Sequence, residues 1–279
     1  MGAEVAMHDD NNPAIEILSP SNPRVKRLAA LRRRRERRNH QVTLVEGYEE
    51  LDLALRANVR PHELYICPEL STGDPLAIAD RAARCGAQVI QLSRPAFEKA
   101  AYRQSPDGWL AVVPDIESDL DRLNLNDAPL IIACGSVEKP GNLGSILRSC
   151  DAAGADAVVC VDPVTDWGNP NVIRASKGTV FSIPVVSTTT PEFVAWSREN
   201  RITTVATTPD TDAILTDTDL TGSVAILVGS EKYGLSKELL DAADVTAKLP
   251  MFGHVNSLNV AVTAAIAAFE SVRQRATHG

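Results

Sequence analysis

From about residue 130 onward, short runs of apolar residues alternate regularly with segments of helical periodicity. Two of these runs, Leu130 to Cys134 and Ser223 to Val228, are apolar enough to predict strands that are buried on both faces. Helical patterns follow them, over residues 143–153 and 237–243. Strands that alternate with helices indicate an α/β fold, in which helices cover both faces of a mainly parallel sheet.

Three polar, glycine-containing turns stand directly after predicted strands in this half of the chain. The first runs from Gly135 to Arg148, the second from Gly229 to Ser236, and the third from Leu249 to Val260. Open α/β sheets bind their ligands beside the carboxyl ends of the strands, so these turns are candidates for a binding site. None of them contains the G-x-G-x-x-G pattern of a dinucleotide-binding fold, and no other stretch supplies it.

Taken together, the three turns resemble the signature motifs of the SpoU (TrmH) family of RNA ribose 2'-O-methyltransferases. The first motif, Asn-x-Gly-x-x-x-Arg, is matched by Asn142, Gly144 and Arg148. The second, Gly-x-Glu-x-x-Gly, is matched by Gly229, Glu231 and Gly234. The third, Pro-Met and then Ser-Leu-Asn-Val at a helix start, is matched by Pro250, Met251, Ser257, Leu258, Asn259 and Val260. The motifs occur in the family's order, and the resemblance extends from about Asp127 to the C-terminus.

The resemblance carries expectations about fold and assembly. It implies that residues 127–279 form a SPOUT α/β catalytic domain, with a deep trefoil knot formed by the segment of the second and third motifs. Nothing in composition or periodicity indicates such a knot, and knots are rare. Family members pair two catalytic domains, so the resemblance also implies a homodimer, with the final helix and its neighbours as the expected interface.

The resemblance also implies a cofactor and the residues that hold it. The cofactor is S-adenosylmethionine, and the expected contacts are Gly229, Leu249, Met251 and Leu258. Backbone groups at strand ends would bind adenine while apolar side chains cover its faces. Gly229 by itself would be read equally well as a plain turn glycine.

A catalytic set follows from the same resemblance: Asn142, Arg148, Glu231, Ser257 and Asn259. Because a guanidinium stays protonated, we expect Arg148 to clamp the phosphate beside the target ribose rather than act as a general base. Asn142 and Asn259 would then position the ribose hydroxyl, and Glu231 would hold the loop of the first motif. Asn259 and Ser257 are also suitable N-caps for the final helix, which is the alternative interpretation.

The N-terminal half carries a concentrated positive charge on an otherwise acidic chain. The formal net charge is −8, yet residues 24–38 contain nine Lys or Arg and one Glu. Most charge runs are solvated helix faces, but like charges at this density favour contact with a polyanion. We therefore predict contacts with RNA phosphates by Arg24, Arg27, Arg32, Arg33, Arg34 and Arg35. Arg174 matches a further basic position of the family and is either an RNA contact or a surface arginine.

Four segments are expected along the chain. Residues 1–18 are predicted to be a disordered leader, 19–115 an α/β RNA substrate-binding domain, 116–126 a linker and 127–279 the catalytic domain. Asn22 before Pro23 predicts the start of the basic helix, which would dock through Val25, Leu28 and Leu31. The resemblance implies a ribosomal-protein-like RNA-binding module for this domain, and a packing or dimerisation domain is the alternative.

Cysteine usage and hydropathy suggest the compartment. The five cysteines, Cys67, Cys85, Cys134, Cys150 and Cys160, have no C-x-x-C spacing, so we predict reduced, structural thiols in the cytoplasm. No apolar run is as long as a membrane span, and the N-terminus lacks the apolar core of a secretory signal. No cluster of His, Cys and Asp has metal-ligand spacing, and we predict no metal.

The favoured function is an S-adenosylmethionine-dependent 2'-O-ribose methyltransferase that acts on 23S ribosomal RNA. Resistance to a ribosome-targeting antibiotic is an additional hypothesis, because the extra N-terminal domain fits the rRNA-modifying and resistance branches of the family. Methylation of tRNA is the first alternative. A non-catalytic RNA-binding protein of the same fold and a base methyltransferase of a related knotted family are the others.

Overall fold

The computed structural model describes residues 15–230 and 232–278, and its chain divides into two compact units with a boundary after Asp115. Each unit contains its own sheet, and each sheet is covered by helices. The predicted α/β fold class is therefore confirmed for both halves, and the knot stays a prediction.

The first unit is built on a five-stranded mixed sheet with the order β1-β4-β3-β5-β2. Its strands are β1 (Ile15–Ile17), β2 (Val42–Glu46), β3 (Glu63–Ile66), β4 (Gln88–Leu92) and β5 (Trp109–Pro114). Its helices are α1 (Pro23–Ala30), α2 (Arg34–His40), α3 (Tyr48–Arg56), α4 (Pro75–Arg84) and α5 (Arg94–Ala100). Strands β1, β4 and β3 run parallel, whereas β5 is antiparallel to both β3 and β2.

The basic segment forms two helices rather than the single one that the pattern predicts. The cap is as predicted, because Asn22 accepts a hydrogen bond from the backbone N–H of Arg24 at 2.9 Å. The chain breaks at Arg33, whose backbone is extended, before α2 begins. The guanidinium of Arg37 turns inward and donates to the backbone carbonyl of Arg32 at 3.0 Å. The same nitrogen also donates to the carbonyl of Leu31, the C-cap of α1, in a buried bond of 3.4 Å, which helps to satisfy the carbonyls at the end of that helix.

The predicted docking stripe is confirmed. Val25, Leu28 and Leu31 are fully buried and belong to the core of the first unit, with Phe97 of α5 among their neighbours in that core. Helix α5 was not predicted, although Ser93 caps it by accepting from the N–H of Ala96.

The predicted leader needs a correction at its end. Residues 1–14 lie outside the described part of the chain, but Ile15–Ile17 form strand β1. This strand pairs in parallel with β4, from Ile15 opposite Ile90 to Ile17 opposite Leu92. Ile17 is buried in the core, so a short apolar alternation within a polar stretch is enough to add an edge strand.

The second unit is built on a six-stranded, entirely parallel sheet with the order β11-β9-β10-β6-β7-β8. Its strands are β6 (Leu130–Gly135), β7 (Ala157–Val161), β8 (Val185–Thr188), β9 (Thr203–Thr207), β10 (Val224–Gly229) and β11 (Val245–Ala247). Its helices are α6 (Pro140–Ala153), α7 (Pro170–Ala175), α8 (Thr190–Glu199), α9 (Lys237–Ala242) and α10 (Val260–His278). A parallel sheet of this kind requires crossover helices, which the alternation in the sequence supplied.

Helices cover both faces of this sheet. On one face, Ile131 and Ala133 of β6 share a core with Phe193 of α8 and Leu239 of α9. On the other, α10 packs against β10, β6 and α6. Because successive residues of a strand point to opposite faces, the continuous apolar runs of β6, β7 and β10 follow directly from burial on both sides.

The predicted linker, residues 116–126, packs against the second unit and is not an unstructured connection. Leu120, Leu123 and Leu125 pack against the core of the second unit, and residues Leu120–Arg122 form a 3-10 turn. The carbonyl of Ser118 accepts a hydrogen bond from the N–H of Ser187 in the edge strand β8. Leucines spaced among acidic residues therefore dock the segment onto the second unit, and residues 116–126 belong to that unit.

Two strands differ in extent from the sequence pattern. The apolar run 181–186 predicts a strand from Phe181, but Thr179–Phe181 form a 3-10 turn and β8 begins only after Pro184. Strand β11 ends at Ala247, which leaves Lys248 and Leu249 to line a cavity. Within the described residues, no helix combines the length and the apolar character that a membrane span needs.

Candidate functional site

The carboxyl ends of three neighbouring strands, β9, β10 and β11, open onto one cavity of about 330 Å³ in the second unit. The start of helix α10 closes its remaining side, through Leu258, Val260 and Thr263. The wall contains four of the residues that were predicted to hold a cofactor, namely Gly229, Leu249, Met251 and Leu258. Ser257, which was predicted to be catalytic, lines the same cavity.

The loop after β10 is shaped by close backbone packing. The N–H of Ser230 donates to the carbonyl of Gly234 at 3.0 Å, and the N–H of Gly234 returns a bond to Ser230 at 2.8 Å. A Cβ on Gly229 would stand 2.1 Å from the carbonyl carbon of Gly234, far inside van der Waals contact. Gly229 is therefore required for the loop to fold back over the strand end, and a contact with the cofactor stays a prediction.

The first and third motifs meet at a pair of amides. Asn142 lies in the first turn of α6, and its side-chain oxygen accepts a hydrogen bond from the amide of Asn259 at 3.2 Å. The Asn259 side-chain oxygen also accepts from the N–H of Ala261 at 2.9 Å, and so caps the first turn of α10. The N-cap interpretation of Asn259 is therefore confirmed, and the same side chain also reaches the first motif, while its role toward the ribose stays a prediction.

Arg148 is exposed on α6, six residues after Asn142, which corresponds to about 9 Å along the helix axis. Its side chain makes no hydrogen bond or ion pair with the other described residues. Its guanidinium is consequently available to a ligand rather than committed to the fold. The position predicted for Glu231 lies outside the described residues.

The arginines predicted to contact RNA fall into two groups in the first unit. Arg24 donates to Gln88 at 2.9 Å, and Arg27 forms an ion pair with Glu63 at 2.8 Å. Arg32 donates to the backbone carbonyls of Lys99, Ala100 and Ala101 at the end of α5, where a cation is favourable. The other three, Arg33, Arg34 and Arg35, are exposed at the start of α2.

Arg174 is at the end of α7 and donates to the side chain of Asn171 at 3.1 Å. It belongs to the second unit and is exposed, so its position is compatible with both interpretations that the sequence left open.

The pKa values of two thiols in the second unit disfavour the reactive thiolate form. Burial raises the pKa of Cys150 well above its usual value, and the pKa of Cys134 is raised by a hydrogen bond with Cys160 and by burial. All five cysteines are free. Across residues 15–230 and 232–278, no group of three or more His, Cys, Asp or Glu side chains could hold a metal ion.

Sequence reasoning missed one wall of the cavity. It is formed by the end of β9 and the turn after it, together with a lysine after β11: Thr207, Thr208, Pro209, Asp210 and Lys248. The sequence did contain a signal for this wall, since the predicted strand 202–206 is followed directly by Thr-Thr-Pro-Asp at its carboxyl end. The strand order, which sets β9 between β10 and β11, was needed to bring this turn to the other two.

The fold and the site define an α/β enzyme class in which a parallel sheet holds a small-molecule cavity at the carboxyl ends of its strands, with the bonded pair of Asn142 and Asn259 next in sequence to the lining residue Leu258. Residues 129–269 match the SpoU rRNA Methylase family, and residues 22–111 match the MRM3-like substrate binding domain. The chain belongs to the SpoU rRNA Methylase family, as its motifs indicated.

Similar proteins cover most of the chain. The chain is 31% identical over 251 residues to the 23S rRNA (guanosine(2553)-2'-O)-methyltransferase RlmP of Bacillus subtilis (strain 168), with 90% of this chain and 96% of the relative covered.

Two solved structures with bound AdoMet are similar in fold. The AdoMet-bound rRNA methyltransferase from Sinorhizobium meliloti is 28% identical with a TM-score of 0.86, over 93% of this chain and 98% of that one. The SpoU methyltransferase AviRb from Streptomyces viridochromogenes in complex with AdoMet is 30% identical with a TM-score of 0.82, over 92% and 100%.

Proposed function

We propose that this chain transfers a methyl group from S-adenosylmethionine to a ribose 2'-hydroxyl of 23S ribosomal RNA. The observation that carries the proposal is the meeting of the three motif loops. The second and third line one cavity, and the first is joined to the third by the bond between Asn142 and Asn259. The RlmP relative, named for this reaction, and two similar structures with bound AdoMet support it.

The chemistry of the cavity wall suits S-adenosylmethionine. Leu235, Leu249 and Leu258 offer apolar surface for the faces of adenine, and the backbone at Gly229 offers polar groups for its edge. Asp210 and Lys248 supply charges opposite to those of the ammonium and carboxylate of the methionine part. When bound, the cofactor supplies a methyl group on a sulfonium, whose leaving group departs as a neutral thioether.

The residues beside the cavity then orient the RNA. Arg148 presents a protonated, planar guanidinium that can bind a phosphate with two parallel hydrogen bonds. The amide pair of Asn142 and Asn259 provides polar atoms for the target ribose next to the cavity. Positioning of this kind lowers the barrier by fixing the hydroxyl in line with the methyl group. The arginine does not have to accept the hydroxyl proton, which is released to solvent water.

We assign RNA capture outside the catalytic unit to the exposed arginines at the start of α2, Arg33 to Arg35. Arg27 forms an ion pair with Glu63 of β3 and Arg32 donates to the end of α5, whereas these three residues are exposed. Phosphate contacts of this kind add affinity that depends on salt rather than on sequence. The match of this unit to a substrate binding domain supports the assignment.

The decisive experiment incubates the purified chain with labelled S-adenosylmethionine and either unmodified 23S rRNA or a tRNA pool. We expect label in 23S rRNA, in a dinucleotide that resists alkaline hydrolysis, since a methylated 2'-oxygen cannot attack the neighbouring phosphate. Label in tRNA alone would favour the tRNA alternative, and label on a base would identify a base methyltransferase. A chain that binds RNA but takes up no cofactor in calorimetry would be a non-catalytic binding protein.

We further propose a homodimer that forms through α10. Its Val262, Ile266 and Phe269 are exposed and recur at intervals of four and three residues, so they form one apolar stripe on the helix surface. The opposite side of α10 already packs on α6 and β10. An exposed apolar stripe on a well-packed helix is typical of a protein interface.

The last part of the proposal concerns where the reaction takes place in the cell and what it would cause. Methylation of ribosomal RNA would take place with the ribosome in the cytoplasm. Antibiotic resistance would follow if the methylated nucleotide lies in a drug site, and growth of a sensitive host that expresses the chain would measure it.

A further inference from the structure

Two loops at the mouth of the cavity each hold an aromatic side chain in solvent. Tyr233, in the loop after β10, is 71% exposed and lines the cavity, whereas Phe252, next to the lining residue Met251, is 96% exposed. Aromatic residues make up only 4% of the chain, and most of those described are buried or partly buried. Besides these two, the described residues include one exposed aromatic ring, Phe269 on α10.

The surroundings of these rings are basic and polar. The ammonium of Lys232 lies 4.6 Å from the centre of the Tyr233 ring, in the range of a cation–π contact. His254 and Asn256 are exposed in the same loop as Phe252. An aromatic face beside a positive charge is the combination that proteins use to hold unpaired nucleotides, since the base stacks and the charge attracts the phosphate.

We propose that Tyr233 and Phe252 form an aromatic platform that stacks on an unpaired nucleobase of the RNA at the mouth of the cavity. The inference rests on the proposed function, which puts a target ribose beside the cavity. The attached or adjacent base must then lie at its rim, where these two loops are. Stacking accepts any base, because every base has a π face, so the platform would hold the nucleotide in place without reading its identity.

The position of the rings favours RNA over a second copy of the chain as the occupant. The apolar stripe proposed for dimerisation lies on α10, whereas Tyr233 and Phe252 come from the loops that frame the cavity opening. The neighbours of the rings include Lys232 and His254, which suit a polyanion better than a dry subunit interface.

The test measures RNA binding rather than turnover, in the absence of cofactor. The probe is a single-stranded RNA of about 12 nucleotides, within the usual site size of such grooves, with 2-aminopurine at its centre. The full chain should quench the fluorescence of 2-aminopurine through stacking. Phe252→Ala and Tyr233→Ala should each lose the quenching and weaken binding about tenfold, whereas Phe252→Trp and Tyr233→Phe should retain both.

Val255→Ala is the matched control, because Val255 is 61% exposed in the same loop and has no ring. Equal losses in Val255→Ala would indicate general damage to the loop and would overturn the proposal. Unchanged affinity in both ring variants would overturn it as well, and so would conversion of Phe252→Ala to a monomer in light scattering with RNA affinity intact. Quenching without any methylation would contradict the proposed enzymatic function but would still support the aromatic platform.

Discussion

The side chain of Asn259 joins two of the three motifs, because its oxygen caps α10 and its NH₂ group bonds to Asn142. Helix caps are common, and this residue type at a helix start carries little information by itself. The contact with Asn142, 117 residues earlier in the chain, makes the same asparagine part of a site. Its position next to Leu258 and Ser257 of the cavity wall explains why cap and site coincide.

Replacement of Arg148 by lysine tests the proposed phosphate clamp. Lysine keeps the charge but loses the planar fork, so we expect a fall in kcat/KM of at least about tenfold, with little change in S-adenosylmethionine affinity. Steady-state kinetics and calorimetry measure the two quantities. Turnover close to that of the unmodified enzyme would reject the fork geometry as the reason for arginine at this position.

Replacement of Gly229 by alanine tests the close packing of the second motif. The new Cβ would meet backbone atoms of Gly234 and Leu235 at 2.1 and 2.2 Å, so the loop must move away from the cavity. We expect S-adenosylmethionine to bind at least about tenfold more weakly in calorimetry, which is about 1.4 kcal/mol. Gly222→Ala, where an added Cβ meets nothing within 4 Å, is the control and should bind normally.

Among the elements, α6 shows how the first motif serves packing as well as chemistry. A Cβ on Gly144 would stand 2.4 Å from the Cβ of Ala175, at the contact between α6 and α7. The glycine of the motif therefore lets the two helices approach closely, while Asn142 on the same helix bonds to Asn259 and Arg148 is exposed. Helix α6 needs this glycine despite its low helix propensity.

Gly144→Ala should destabilise the second unit by about 1–3 kcal/mol, the usual effect of overpacking a core. Gly141→Ala on the same helix is the matched control, because its Cβ would meet nothing within 4 Å and the change should be neutral or favourable. Denaturant unfolding, with hydrogen exchange in α6 as the local probe, compares the two. Equal stability of both variants would show that α6 and α7 can separate without penalty.

Asp244, between α9 and β11, links the start of β11 to β9. It accepts hydrogen bonds from the N–H and the hydroxyl of Thr204 at 2.8 and 2.7 Å, and the N–H bond is the main reason why its pKa is lowered. Since the pKa is lower in the folded state, this stabilisation is present above the unfolded pKa and is lost as the pH falls through the folded one.

The Asp244→Asn variant should therefore melt at a lower temperature than the unmodified chain at pH 7, and the difference should shrink in the acid range. Thermal unfolding at a series of pH values measures it. Asp241→Asn, at an exposed pair with Lys237, is the control and should change little at any pH. A difference that persists undiminished in acid would contradict a role for the ionised carboxylate.

At the scale of the whole molecule, the exposed stripe on α10 allows a test of the proposed homodimer. Ile266→Glu puts a charge in the centre of the stripe, and burying that charge at an interface would cost far more than the lost apolar contact. We expect a monomer in light scattering at concentrations where the unmodified chain is a dimer. Leu76→Glu, at an exposed apolar residue of the first unit, is the control and should stay a dimer.

The sequence pattern predicted the second unit well, because buried parallel strands and crossover helices leave strong local signals. Strand β7 and the cap of α1 at Asn22 agree with the pattern to the residue. The errors fall where a tertiary contact overrides a local preference. Arg37 turns inward and helps to divide the basic segment into two helices. Ser187 of the edge strand β8 donates a backbone hydrogen bond to Ser118 of the predicted linker.

By itself, the sequence determined the fold class, the family and the three loops that carry its motifs, because apolar periodicity and short motifs are properties of contiguous residues. Tertiary structure alone decided that β9 lies between β10 and β11, and thus that Thr207 and Asp210 join the cavity wall. It also decided which of the arginines are engaged elsewhere in the first unit, since the partners of Arg27 and Arg32 are 36 or more residues away. Strand order and long-range ion pairs depend on which surfaces meet when the chain packs, and no local pattern records them.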